Sequence, residues 1–214
     1  MARIVITSGP TRQYLDPVRY LTNGSSGRMG AALAKAALDL GHSVTVISGP
    51  VSAPYPDGAQ VIDVVSTQEM LDAAESAFEN ADGLIGAAAP CDYMPQHIEP
   101  QKMSKTGAGL QLSLIETPDI VATLGAKKKP GQWVVGFALE TEDIRFRAIV
   151  KMSRKCCDMI VSNCATAMNA EDNDVEVIAS DGTILGQISG PKTDVARGIL
   201  AHIQSRLIAP IHSK

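Results

Sequence analysis

A chain of 214 residues, 45% apolar and 20% charged, has the size and balance of one globular domain with a proper core. Its formal net charge of −4 supplies no long-range basic field for nucleic acid. No apolar run approaches the roughly 18 residues of a membrane span, and the N-terminus carries no charged-then-apolar leader, so a cytoplasmic enzyme is expected. Cys91, Cys156, Cys157 and Cys164 contain no CxxC pair, and His42, His97, His202 and His212 lack ligand spacing. Reduced thiols, no structural disulfide and no histidine-based metal site follow.

Arg3–Thr7 (RIVIT) is a β-branched run of the kind that forms a buried parallel strand. A long polar loop follows. Arg28–Leu40 then carries Met29, Leu33, Ala36, Ala37 and Leu40 near helical spacing, with Gly41 as the stop. His42–Ser48 is a second strand and Gln60–Val65 a third. Thr67 is predicted to cap a helix over Gln68–Phe78, and Asp82–Gly86 is a fourth strand. From Ala87 to Glu116 prolines and KMSKTGAG break the pattern, which predicts an active-site flap, spanning about 90–116, with a strand outside the main sheet.

Beyond the flap, Thr117 and Pro118 open a helix as N-cap and first residue. Gln132–Ala138 is a strand, and Thr141 starts a helix to about Cys156 with Glu142 and Asp143 in its first turn. Asp158–Ser162 is a strand. Val175–Ala179 and Thr183–Ile188 flank a Ser180-Asp181-Gly182 hairpin, and a last helix covers Lys192–Leu207 before a frayed tail at about 209–214. The expected fold is α/β: a Rossmann-like, doubly wound, mostly parallel sheet in a single domain over 1–214.

The stretch from Thr7 to Gly30 (TSGPTRQYLDPVRYLTNGSSGRMG) is far longer than the usual connection of about four residues between strand and helix. Its glycines at 24, 27 and 30 follow GxxGxxG, not GxGxxG. Gly27 lies at a helix start, where free N–H groups favour an anion. Asn23, Ser25 and Ser26 add neutral donors, and Arg12 and Arg19 can grip phosphate or carboxylate with two bonds each. The bland alternative is a Rossmann turn with incidental polar residues.

Small residues at Ala87–Ala89 leave room for a ligand at a strand's carboxyl end, where Asp92 could accept from a base amino group or help hold a metal. Lys102 and Lys105 could close over phosphates, or be a solvated pair. Lys151 and Lys155 share a helix face with Arg147 one turn earlier, a pattern of ordinary surfaces and of phosphate sites alike. Phe137, beside Gly136, is either core or a nucleobase platform. A nicotinamide reductase is disfavoured. The second strand ends in Ser48-Gly49-Pro50 without a carboxylate, and no tyrosine has a lysine four residues on.

Together these pieces resemble phosphopantothenoylcysteine synthetase. The motifs occur in the family's order: SGPTRQYLDPVRYLTNGSSGRMG, AAAPCDY, KMSK, TPDI, VGFALET and DMIVSN. The resemblance runs from about Ile4 to Asn163 and implies a ligase without a fused flavin-dependent decarboxylase, hence no flavin. It further implies that 4'-phosphopantothenate is activated by a nucleoside triphosphate, typically CTP, and that cysteine then displaces the nucleotide. Mg2+ or Mn2+ is implied, with its ligands unassigned, as is a homodimer acting on small molecules with no nucleic acid or membrane partner. Carried over by motif, Asn23 and Lys102 are the catalytic candidates. Arg19 (from this or the neighbouring subunit), Asn23, Ser25, Ser26 and Gly27 would hold the substrate. Gly9, Ala88, Asp92, Lys102, Pro118, Asp119, Ile120, Phe137, Lys151 and Lys155 would hold the nucleotide. This chain departs from the family at Gly24, Arg28, Pro90-Cys91 and Ser104, which bears on nucleotide preference and flap behaviour. A non-catalytic nucleotide-binding protein is the remaining alternative.

Overall fold

The computed structural model of the chain describes residues 1–140, 143–164 and 172–209. The strands are β1 (Arg3–Ser8), β2 (Arg12–Tyr14), β3 (Tyr20–Thr22), β4 (Ser43–Ser48), β5 (Gln60–Asp63), β6 (Gly83–Gly86), β7 (Tyr93–Pro95), β8 (Leu114–Glu116), β9 (Trp133–Glu140), β10 (Met159–Cys164), β11 (Asp172–Ala179) and β12 (Ile184–Pro191). The helices are α1 (Arg28–Asp39), α2 (Thr67–Phe78), α3 (Ile120–Lys127), α4 (Ile144–Arg154) and α5 (Lys192–Ile203). Eight strands form one sheet in the order β12-β11-β10-β9-β6-β1-β4-β5. It is parallel from β10 to β5, and the β11–β12 hairpin adds the antiparallel edge. The doubly wound expectation holds.

Strand pleating sends successive side chains to opposite faces, and the core divides accordingly. Ile4, Ile6, Val44, Val46, Val135, Met159 and Val161 pack with Leu33 and Ala37 of α1 and Val195 and Ile199 of α5. Val5, Ile47, Val134 and Ile160 pack with Met70 and Phe78 of α2, Leu124 of α3 and Met152 of α4. Burying each of the larger of these side chains contributes about 1.5–3 kcal/mol. Each face of the sheet is therefore closed by helices, and the crevice at the strands' carboxyl ends is the place left for a ligand.

Several local expectations are corrected. Ser66, not Thr67, caps α2: its hydroxyl accepts from Glu69 N while Glu69 Oε2 accepts from Ser66 N, a complete capping box. Asp119, not Thr117, caps α3 by accepting from Ala122 N, because both displaced threonines are spent on tertiary bonds. Leu40 is 51% exposed rather than core, since α1 ends one residue before it. No helix joins β4 to β5, and the long opening loop contains the β2–β3 hairpin. The expected strand outside the main sheet is the β7–β8 pair. Asp143 is the N-cap of α4, in the left-handed region at φ 46°. Thr141, Glu142 and the tail beyond Ala209 lie outside the described residues.

A candidate nucleotide cleft at the switch point

The connection after β1 runs to β4 on one side and that after β6 runs to β9 on the other, so the connections part at the carboxyl ends of β1 and β6. Their continuations stay in contact: Ala87 N donates to Thr7 O at 3.2 Å, and Ala89 N to Gly9 O at 2.9 Å. A cleft of about 410 Å³ opens there. It is lined by Thr7, Gly86, Ala88 and Asp92 from the sheet ends, Thr117–Val121 from the start of α3, Phe137 of β9, and Arg154 and Lys155 from the end of α4. A Cβ on Gly86 would overlap the Val121 side chain, so the strand end must be bare for α3 to approach.

The cleft floor is fixed by a buried polar network. Thr11 Oγ1 meets Thr67 Oγ1 at 2.8 Å, Gln13 Nε2 donates to Thr67 Oγ1 at 2.7 Å, and Cys91 N donates to Thr11 Oγ1 at 2.9 Å. Thr67 and Thr117 both donate to Cys91 O. Each bond contributes about 1 kcal/mol net, but an orphaned buried group costs about 1–3 kcal/mol. Breaking one member is therefore worse than the bond's own worth, and the loop that carries Asp92 is held in one place.

Lys155 Nζ lies 3.0 Å from Asp119 Oδ2, and Arg154 Nη2 lies 3.9 Å from the same oxygen. Two cations thus converge on one carboxylate inside the cleft. A pair as accessible as this contributes only about 0–1 kcal/mol, so a multiply charged phosphate can take the cations from Asp119 at little cost. The turn behind them is locked. Lys128 Nζ bonds to Cys156 O and to both Asp158 oxygens, and a Cβ on Gly125 of α3 would overlap Lys155 O. Burial pushes the Cys157 thiol up to about 12, so this sulfur, packed under Gly136, is a structural group.

The opening loop has two faces. Asn23 Nδ2 donates to Pro90 O at 2.8 Å, which ties this side chain to the cleft rim. Ser25, Ser26, Arg12 and Arg28 instead line a neighbouring crevice of about 1410 Å³, bounded by Pro50–Asp57 and the start of α5. Gly27, at φ 72°, is the N-cap of α1 and its carbonyl accepts from Ser8 Oγ. Gly30 faces Ser8 so closely that any Cβ would overlap it. These glycines bring the helix start against the end of β1.

Seven of the predicted nucleotide residues meet in the cleft: Ala88, Asp92, Pro118, Asp119, Ile120, Phe137 and Lys155. Gly9, Lys102 and Lys151 are not among its described lining residues. Gly9 turns toward Val51 and the neighbouring crevice, Lys102 is exposed on the flap, and Lys151 lies one turn back on α4. Sequence reasoning missed Arg154, Thr7, Tyr93 and Glu116. A basic residue beside Lys155 in the last helical turn was the available signal for Arg154.

The fold and site define a doubly wound α/β protein with a nucleotide-sized cleft, cations on one wall and an aromatic ring on another. The chain belongs to the DNA/pantothenate metabolism flavoprotein C-terminal domain family, whose model matches residues 1–207, and this is the synthetase family to which the motifs pointed. A coenzyme A biosynthesis bifunctional protein CoaBC of Bacillus subtilis (strain 168) is 43% identical over 205 residues, covering 94% of this chain and 50% of that protein. The chain thus spans about half the length of the curated relatives it matches. A crystal structure of the C-terminal domain of a CoaBC protein superposes with a TM-score of 0.82 at 38% identity, covering 97% of this chain and 96% of that one. A Cab2 variant solved in complex with phosphopantothenate-cysteine shares the fold, with a TM-score of 0.81 at 16% identity over 97% of this chain and 86% of that one.

Proposed function

We propose that the protein joins 4'-phosphopantothenate to L-cysteine through an acyl-nucleotide intermediate, with CTP as the activating nucleotide. The observation that carries this reading is the convergence of seven motif residues from separate elements on one cleft, with Asn23 tethered to its rim. A carboxylate oxygen of phosphopantothenate attacks the α-phosphorus, pyrophosphate leaves, and the cysteine amine then attacks the activated carbonyl and expels the nucleoside monophosphate. Such chemistry needs positioning and charge neutralisation more than a protein nucleophile.

In this reading Lys155, with Lys151 behind it and Lys102 from the flap, neutralises the phosphates, and Phe137 and the Pro118–Ile120 backbone hold the nucleoside. Asp92 accepts from the base. Asn23 donates to the acyl-phosphate junction, while Ser25, Ser26, Gly27 and Arg19 hold the pantothenate side, the last from this or a neighbouring subunit. Ala88 lines the cleft, and Gly9 supports it from behind, its carbonyl accepting from Ala89 N. A divalent ion, Mg2+ or Mn2+, fits this donor set. Among the described residues no three His, Cys, Asp or Glu side chains group as a metal cage. Asp92, Glu116 and Asp119 are the cleft carboxylates that could complete its shell, and bound there it would neutralise phosphate charge.

A homodimer is proposed as well, supported by the exposed Tyr93, Ile98, Leu110, Leu112, Leu114 and Ile115 on the flap and its hairpin. A dinucleotide reading is disfavoured, because the end of β4 offers Ser48, whose hydroxyl meets Tyr55 Oη at 2.9 Å, and no carboxylate. The test is pyrophosphate release by the purified protein with 4'-phosphopantothenate, cysteine and each of CTP, ATP, GTP and UTP. Release with CTP is expected, and none with any nucleotide would overturn the ligase reading.

A further inference from the structure

The Asp16 side chain is fully buried although it sits in a surface turn. Its Oδ1 accepts from Val18 N at 2.8 Å and Arg19 N at 2.7 Å, which shapes the turn itself. Its Oδ2 reaches further in the chain, accepting from Arg19 Nη1 at 3.0 Å and from Met103 N at 3.1 Å. Arg19 Nη2 then donates to Met103 O at 2.9 Å. Both polar groups of the Met103 backbone are thereby held by one ion pair. Four residues earlier, Glu99 N donates to Leu15 O at 2.9 Å. The flap is pinned to the same turn on both sides of Lys102, whereas 104–112 is exposed throughout.

Burial alone would raise the Asp16 carboxyl. The N–H donors of Val18, Arg19 and Met103 and the Arg19 charge outweigh it and hold the group below its ordinary value. The carboxylate form is the one that can accept all four bonds.

We infer that Asp16, acting with Arg19, is a positioning residue that fixes the basic root of the flap, so that Lys102 is presented to the nucleotide phosphates from a held tether. The inference rests on the ligase reading for the role of Lys102, but the clamp itself is a property of this chain's own contacts. It divides the flap into an anchored root at Glu99–Met103 and an exposed part at 104–112 before the β7–β8 pairing. It also gives Arg19 a task within its own chain, next to any contact it makes with substrate.

The experiment compares native protein, Asp16→Asn, Lys102→Gln and the double variant. Asp16→Asn keeps the side chain's shape but replaces one acceptor with an N–H2 group that faces donors. The nucleotide KM should rise about tenfold in Asp16→Asn while the cysteine KM changes less than about twofold. The double variant should be no worse than Lys102→Gln alone, because Asp16 acts through that lysine. Multiplying effects in the double variant, or equal changes in both KM values, would overturn the inference. Trypsin cleavage after Lys102 separates the clamp from the reaction: it should run about tenfold faster in Asp16→Asn than in native protein. Unchanged cleavage would overturn the clamp. Unchanged kinetics in Lys102→Gln would instead remove that lysine from the ligase reading, leaving the clamp to be judged on cleavage.

Discussion

The cleft at the switch point and the flap beside it present cations in contrasting ways. Lys155 stands at the end of α4, on a turn locked by Lys128, Asp158 and the bare surface of Gly125, and it already points at a carboxylate in the cleft. Lys102 is exposed, outside the cleft lining, and held through backbone bonds of its neighbours Glu99 and Met103. The first cation is preorganised by the main fold, whereas the second, in the proposed reading, is delivered by a tether. In a reaction driven by charge neutralisation, a fixed group helps to bind the ground state, whereas a delivered group can also shut water out after binding.

Variants can break this contrast or sharpen it. Asn23→Asp should have the largest effect, lowering turnover more than about a hundredfold, because it sets a negative charge against an anionic intermediate. Pyrophosphate release checks it, and native turnover would remove Asn23 from the mechanism. Lys155→Gln should come next, raising the nucleotide KM by about tenfold or more and exceeding Lys102→Gln, since the fixed cation contributes to binding before any closure. Equal effects would erase the distinction between wall and tether. Ser66→Ala should cost about 1 kcal/mol of stability by removing half of a capping box, read as a lowered Tm, with both KM values unchanged.

Two milder tests use pH. Asp16 is held below its ordinary carboxyl value, so its stabilisation is complete above about pH 4 and is lost as pH falls through the lowered folded value. Amide exchange at Met103 should therefore quicken in acid before the sheet amides do. The Cys157 thiol, pushed up to about 12, should resist alkylation at neutral pH while exposed Cys156 is labelled, as peptide mass analysis would reveal. Labelling of both at equal rates would contradict the burial described for Cys157.

What could be read from residue order follows physical range. Strands such as Arg3–Ser8 and helices such as Thr67–Phe78 were legible because one period of apolar residues meets one buried face. Caps were misassigned at Thr67 and Thr117 because a threonine that looks local is spent on Cys91 O, 24 and 26 residues away. The β2–β3 hairpin was illegible, with three-residue strands too short for a pattern. Motif resemblance brought Asp92, Phe137 and Lys155 to one cleft. Arg154 was missed because a surface arginine in a last turn looks the same whether or not a cleft lies beneath it. Asp16 drew no reading of its own from the sequence, since its reach to Met103 across 87 residues leaves no local trace.

The Thr11–Thr67–Cys91–Thr117 network has a further consequence, for the order in which the molecule assembles. It joins segments separated by 56, 80 and 26 residues, so none of its bonds can form until the chain has closed long loops between β1, α2 and the strand end at β6. Helices α1 and α5 can draw on local contacts early, but the floor of the cleft has no local precursor. The binding site is thus a late product of folding. A ligand that recognises it should slow unfolding and leave the earliest refolding steps untouched.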